Sequence, residues 1–351
     1  MSDDAHLERL TAEDLGLPAG TRVPLRFTPG HTWTPLVVSF PHVGLAWPHD
    51  LRPKPQADFP RNADYEVHTL YRGIESLGVA TVHAHFSRLV VDLNRADDDV
   101  PPQLVPDHPD PRPRQRPGSP GGAPPVAWDR PGRGVVWASA VTAGIGTVRV
   151  LQPPLPYAAF ADRIAKFHTP YYRALETLLQ RRRERFGYAV LLDAHSMPGS
   201  VAADLVLGTL DAASCADPVA TTAFDALRGG LPDRQALLSV RRDDPYRGGE
   251  IVRTFGRPSD GMHALQLEVS RRLYMDERVY RVFRWPSDIP ALGDSRAAAG
   301  GHGTVPAPNR RRGRELAELV RRVRSLVSTL AGLRGDAHLS PLAPTPSRPE
   351  A

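Results

Sequence analysis

The sequence predicts an α/β fold, a sheet with helices on both faces. Two observations carry this expectation. Short β-rich apolar runs alternate with stretches of helical spacing along most of the 351 residues. The run Tyr188 to Leu192 also breaks at once into Asp193, His195 and Ser196, then Pro198 and Gly199. Such a strand delivers polar side chains at its carboxyl end, where α/β sheets collect ligands and catalytic groups. His195 is therefore either a metal ligand or acid/base group, or a structural histidine beside a turn. The alternation alone leaves the strand order open.

The elements follow in order. Residues 1–35 read as a polar, loop-rich lead-in. Leu36 to Phe40 is a short strand that runs into Pro41-His42-Val43-Gly44. Asp64 to Gly78 has helical spacing, with Val67, Leu70, Tyr71 and Ile74 on one stripe. Val79 to Val82 and Leu89 to Leu93 read as strands. Ten prolines between Pro101 and Pro125 exclude helix and strand and predict a mobile surface insertion, before strand-like sequence resumes at Gly134 to Ser139. Ala158 to Phe186 is a long helical pattern interrupted near Pro170, and it feeds the strand at 188–192. Asp204 to Gly208, Glu250 to Thr254 and His263 to Val269 read as strands, and Thr221 to Arg228 as helix. Gly313 to Leu333 is amphipathic, with Leu316, Leu319, Val320, Val323, Leu326 and Leu330 on its apolar face. The expected organisation is a single domain over 36–334 with an insertion at about 101–133, followed by a disordered tail at 335–351.

Composition excludes several function classes. No run of about 18 apolar residues predicts a membrane span. The acidic start Met-Ser-Asp-Asp-Ala-His lacks the apolar core of an export signal. Cys215 is the one cysteine, which rules out an intrachain disulfide and a cysteine-rich zinc module and agrees with a reducing cytosol. The net charge of +5 does not predict a nucleic-acid partner. Only Lys54 and Lys166 are lysines, and the arginine clusters at 181–183 and 310–312 have no aromatic residues between them.

Three constellations carry chemistry. His42 and His195 each follow a strand, as ligands of a catalytic zinc would, and Asp64 or Glu66 can supply the carboxylate of such a set. Period-2 alternation from His263 puts Leu265 and Leu267 on one face and Ala264, Gln266 and Glu268 on the other. Glu268 is either a general base, which a buried carboxylate suits, or the partner of Arg271 or Arg272. Arg88, Asp92, Asn94 and Arg95 are either a substrate-carboxylate or oxyanion site or a structural Asp–Arg pair. Cys215 has no basic neighbour that marks a nucleophile, and Ser196 is outside any G-x-S-x-G elbow.

Together these segments resemble the N-formylglutamate amidohydrolase (N-formylglutamate deformylase) family over roughly residues 36–290. The resemblance rests on Ser39-Phe-Pro-His-Val-Gly44, Asp64 with Leu70-Tyr71, Phe86-Ser-Arg-Leu-Val-Val-Asp-Leu-Asn-Arg95 and Leu192-Asp-Ala-His-Ser-Met197. It continues through Leu207-Gly208, Asp244-Pro-Tyr-Arg-Gly-Gly249, Phe255-Gly-Arg-Pro258, His263-Ala-Leu-Gln-Leu-Glu268 and Leu273-Tyr-Met-Asp-Glu277. Any one of these is weak, and their order makes the case. Val43 stands where the family usually has Ser, Tyr172 where it has His, and His68 where it has an acidic residue.

The resemblance implies a three-layer α/β/α fold with a mixed sheet, similar to zinc carboxypeptidases and aspartoacylases. It implies a cytoplasmic enzyme of amino-acid and histidine degradation that binds one Zn2+ and hydrolyses N-formyl-L-glutamate, a small-molecule substrate. His42, Asp64 and His195 would be the metal ligands, with Glu66 as the second choice. Glu268 would be the base and Arg88 a catalytic cation. Asn94, Arg95, Arg253 and His263 would contact the substrate. Two other readings compete: a related zinc hydrolase of another N-acyl amino acid or small peptide, and an inactive binding protein. Joint presence of His42, His195 and Glu268 argues against the last.

Overall fold

The structure, a computed structural model, describes residues 8–100, 102–110, 134–229, 237–283, 310–334 and 339. The strands are β1 (Leu25–Thr28), β2 (Leu36–Phe40), β3 (Ala80–Ala84), β4 (Ser139–Thr142), β5 (Gly146–Arg149), β6 (Ala189–Met197), β7 (Leu205–Gly208), β8 (Val240–Arg242), β9 (Met262–Ser270), β10 (Met275–Asp276) and β11 (Arg281–Val282). The α-helices are α1 (Tyr157–Arg163), α2 (Thr169–Phe186), α3 (Asp217–Arg228), α4 (Glu250–Phe255) and α5 (Arg310–Ala331).

Seven strands form one mixed sheet in the order β1-β3-β2-β6-β9-β7-β8. The central run β3, β2, β6, β9 is parallel, while β1 and β7 pair antiparallel to β3 and β9. Period 2 assigns each strand residue to a face. Leu36, Val38, Val190, Leu192, Leu265 and Leu267 pack beneath α3 and α5, through residues such as Ala223, Leu319 and Leu326. Val37, Ala189, Leu191 and Ala264 pack beneath α2 and α4, through Leu175, Leu178, Ile251 and Val252. The two cores make the expected α/β/α layering, and the alternation predicted for His263 to Glu268 holds.

Several local expectations change. Asp64 to Gly78 is not one α-helix but two short 3-10 turns, Val67–Tyr71 and Ile74–Leu77. Left-handed backbone at Glu66 (φ 60°) and Gly73 (φ 79°) interrupts the helix, yet the predicted stripe is still buried. Leu89 to Leu93 is buried but not a strand. Its amides turn back, Val90 N–H onto the Ser87 carbonyl and Asp92 N–H onto that of Val135. Glu250 to Thr254 is helical, in α4, because Ile251, Val252 and Phe255 fall on one buried stripe after an extended Gly249. Between α1 and α2 the chain widens into a π-turn at Ile164–His168. Pro170, at the start of α2, has no N–H to continue a regular ladder.

The lead-in contributes β1 to the sheet, and Leu15 to the core. Within the proline-rich stretch, Leu104 and Val105 are buried. The rest of that expected insertion, 111–133, lies outside the described residues, as does the tail apart from buried Leu339. No helix among the described residues is long and apolar enough to cross a membrane.

Leu191, fully buried at the centre of β6, fills the core beneath α2. Leu191→Ala is expected to cost about 2–5 kcal/mol of unfolding free energy in denaturant titration. A loss under about 1 kcal/mol would mean that this core is not packed as described.

Candidate metal centre and active site

The site lies at the carboxyl ends of the parallel strands. Cross-strand register puts Ser39, Asp193 and Gln266 in one row and His195 beside Glu268 in the next. β6 extends through Met197 because it pairs with β9 along its whole length, so Asp193 and His195 lie inside the strand rather than in a turn after it. They project to the same side as Leu191, at the end where the apolar residues stop. His42 lies two residues past β2, and its carbonyl accepts the Asp64 N–H at 2.9 Å.

His42, Asp64 and His195 converge and are all buried. His195 Nδ1 is 2.9 Å from Asp64 Oδ2, and His42 Nδ1 is 3.4 Å from the same oxygen. The far nitrogen of each ring has its own carboxylate: His42 Nε2 lies 2.7 Å from Asp92 Oδ1, and His195 Nε2 lies 2.7 Å from Asp193 Oδ2. Asp92 is paired with Arg88 at 2.6 Å. The other Asp64 oxygen accepts from the Ser196 hydroxyl at 3.1 Å and from Arg271 Nη2 at 3.4 Å.

This donor set fits a cation. One ligand atom from each of the three residues lies within 4.8 Å of the others. The buried His42 Nδ1 makes no hydrogen bond. Carboxylates behind the outer nitrogens orient metal-binding histidines in the same way. Burial would raise the Asp64 carboxyl, but contacts with His195 and His42 outweigh it and hold the group well below the ordinary value. Burial would likewise lower His195, but Asp193 and Asp64 hold it well above. A cation among the three would take the place of that retained proton.

Glu268 shares the cavity, which has a volume of about 730 Å³. Its Oε1 accepts from Gln266 Nε2 at 2.9 Å. The Gln266 amide is itself oriented, because its Oε1 accepts from Gly249 N–H at 2.9 Å and from Asn94 Nδ2 at 3.3 Å. A β-carbon on Gly249 would fall 2.2 Å from Asn94 Nδ2, so only glycine lets this loop approach. Burial pushes Glu268 up to about 7, from 4.5. A carboxylate tuned near neutrality suits proton transfer.

Arg88, Asn94 and Arg95 line the same cavity. The structure does not bring the other expected residues to it. Glu66, left-handed and partly exposed, faces His68 at 3.8 Å and is outside the ligand cluster. Arg253 pairs with Glu250 on the exposed side of α4. His263 is at the opposite end of β9 from Glu268, where Nδ1 accepts the Ala216 N–H and Nε2 donates to the Leu339 carbonyl. Both of its nitrogens serve the backbone, so it is structural. Sequence reasoning missed the orienting roles of Asp92 and Asp193, although Asp193 and His195, two apart on a strand, necessarily share a face.

A cavity at the strand ends holding convergent His and carboxylate donors beside a separate buried carboxylate is an arrangement suited to hydrolysis. Residues 34–275 match the family model described as N-formylglutamate amidohydrolase. The chain is 32% identical over 263 residues to N-formylglutamate deformylase of Pseudomonas aeruginosa, covering 71% of this chain and 85% of the relative. It is 30% identical over 259 residues to the Pseudomonas putida deformylase, covering 69% and 82%. The crystal structure of N-formylglutamate amidohydrolase from Ralstonia eutropha JMP134 superposes with a TM-score of 0.63 at 25% identity, covering 86% of this chain and 97% of that one. The chain belongs to the N-formylglutamate amidohydrolase family, and it is an enzyme that hydrolyses an amide.

Because folded Glu268 keeps its proton to about pH 7, against 4.5 ordinarily, this group makes stability fall as pH rises between those values. Glu268→Gln removes that loss. In metal-free protein the advantage of the variant over wild type is expected to be small near pH 4 and to grow up to about pH 8, in denaturant unfolding at both. A difference that does not grow with pH would contradict the assigned burial of the charge.

Proposed function

We propose that the protein removes the formyl group of N-formyl-L-glutamate, giving formate and glutamate, with one Zn2+ held by His42, Asp64 and His195. The observation that carries this reading is the convergence of two Nδ1 atoms on one buried carboxylate, with Glu268 in the same cavity. The N-formylglutamate deformylase names of the two Pseudomonas relatives support the substrate. A zinc ion bound there supplies Lewis-acid chemistry, acidifying water and polarising a carbonyl.

The chain's own residues do the rest. Glu268 takes a proton from the attacking water and passes it to the leaving amine nitrogen, so it ends the cycle as it began. Gln266 aims the accepting carboxylate. Arg88, whose Nε and Nη2 are held by Asp92, stands in the cavity as a fixed cation for the oxygen that gains charge. Asp92 and Asp193 keep the two imidazoles turned inward.

Metal content and formate release test the reading. Purified protein is expected to carry about one zinc per chain and to release formate from N-formyl-glutamate. Glu268→Gln is expected to keep the metal and lose at least about 100-fold in rate. His195→Ala is expected to lose the metal. No metal and no turnover would overturn the proposal, and turnover confined to another N-acyl amino acid would replace the substrate.

A further inference from the structure

Five arginines line the cavity, and their partners differ. Arg88 commits Nε and Nη2 to Asp92. Arg271 donates from Nε to Ser196, from Nη2 to Asp64 and the Ala63 carbonyl, and from Nη1 to the Tyr280 hydroxyl. Arg95 pairs through Nη1 with Asp99, and Arg247 through Nη1 with Asp211. Arg61 is held differently. Its Nε donates to Asp58 Oδ2 at 3.3 Å, and among the described residues neither Nη atom carries a hydrogen bond.

The Arg61 guanidinium is nevertheless fixed in place. Its carbon lies 4.6 Å from the centre of the Tyr280 ring, a stacked cation–π arrangement. Tyr280 is anchored in turn by Arg271 Nη1 at 3.4 Å, and it has left-handed backbone, φ 49°. A bulky residue keeps that conformation only where its surroundings impose it. The result is a planar fork with one face covered, Nε committed and the Nη edge left over, the shape that takes a carboxylate through two parallel N–H donors.

The fork's position is also informative. Arg61 is three residues before Asp64, and Arg271 bridges Tyr280 to the Asp64 carboxylate. It therefore belongs to the Asp64 side of the cavity, whereas Arg88 is tied through Asp92 to His42. In N-formylglutamate five bonds separate the formyl carbon from the distal carboxyl carbon. With the formyl group at the His–Asp–His cluster, the distal carboxylate reaches outward to the cavity wall. The geometry points to Arg61, seated on Tyr280, as the residue that selects substrates carrying a side-chain carboxylate. This rests on the deformylase reading above.

The test compares kcat and KM for N-formyl-L-glutamate and its neutral isostere N-formyl-L-glutamine. Wild type is expected to prefer the acid. In Arg61→Met the ratio of the two kcat/KM values is expected to fall by about 10- to 100-fold, the loss of a charge-assisted pair, through the KM of the acid. Arg61→Lys keeps the charge without the fork and is expected to give an intermediate ratio. An unchanged ratio in both variants overturns the inference, and equal losses on both substrates overturn it as well by making Arg61 structural. A wild-type enzyme active on both with no preference also overturns it, while one active on neither strikes at the deformylase reading itself.

Discussion

One buried carboxylate organises this molecule. Asp64 sits at the carboxyl ends of parallel strands with two histidines, an arginine and a hydroxyl directed at its two oxygens. A charge taken out of water is tolerated only when it is paired and hydrogen-bonded. Each partner needs partners of its own, so the constraint spreads. Asp193 and Asp92 take the outer nitrogens of the histidines, and Arg88 balances Asp92. Arg271 is fastened to Ser196, Ala63 and Tyr280. The sheet makes this possible because β2, β6 and β9 run the same way, so that their carboxyl ends open onto one side of the fold.

A second network runs beside the first. Glu268, Gln266, Asn94 and the Gly249 amide form a chain in which each group fixes the next. Asn94 also lies 3.3 Å from His195 Nε2 and accepts the Ile251 N–H, so the start of α4 is tied to the His–Asp–His cluster. The loop over 92–95 is held from behind by His168 on the Arg95 carbonyl and Tyr172 on the Leu93 carbonyl. His168 belongs to the π-turn before Pro170, so a local irregularity in the helix serves to brace the site.

Much of this was legible in the sequence, for identifiable reasons. Strand alternation places Gln266 and Glu268 away from the core beneath α5, and the end of an apolar run marks Asp193 and His195 as site residues. Helical spacing marked α2, α3 and α5 because each buries a stripe. The same reasoning failed where burial and secondary structure part company. Leu89 to Leu93 is apolar because it is covered, not because it pairs. The β-branched residues of α4 imitate a strand in a segment too short for periodicity to decide. His263 is drawn toward the site by its place on the same strand as Glu268, but four intervening residues of β9 separate the backbone roles of the one end from the chemistry of the other. Arg61 carries no local pattern. Its uncommitted fork appears only once Asp58 and Tyr280, distant from each other in sequence, are seen on either side of it.

In the proposed centre His42 and His195 present Nδ1, not Nε2, to a metal shared with Asp64. A crystal of the zinc-loaded protein, measured on both sides of the zinc absorption edge, tests it directly. One anomalous peak is expected, bounded by His42 Nδ1, His195 Nδ1 and an Asp64 oxygen, with Asp92 and Asp193 still on the outer nitrogens. A peak at the Nε2 side of either ring, or one that excludes Asp64, would contradict it.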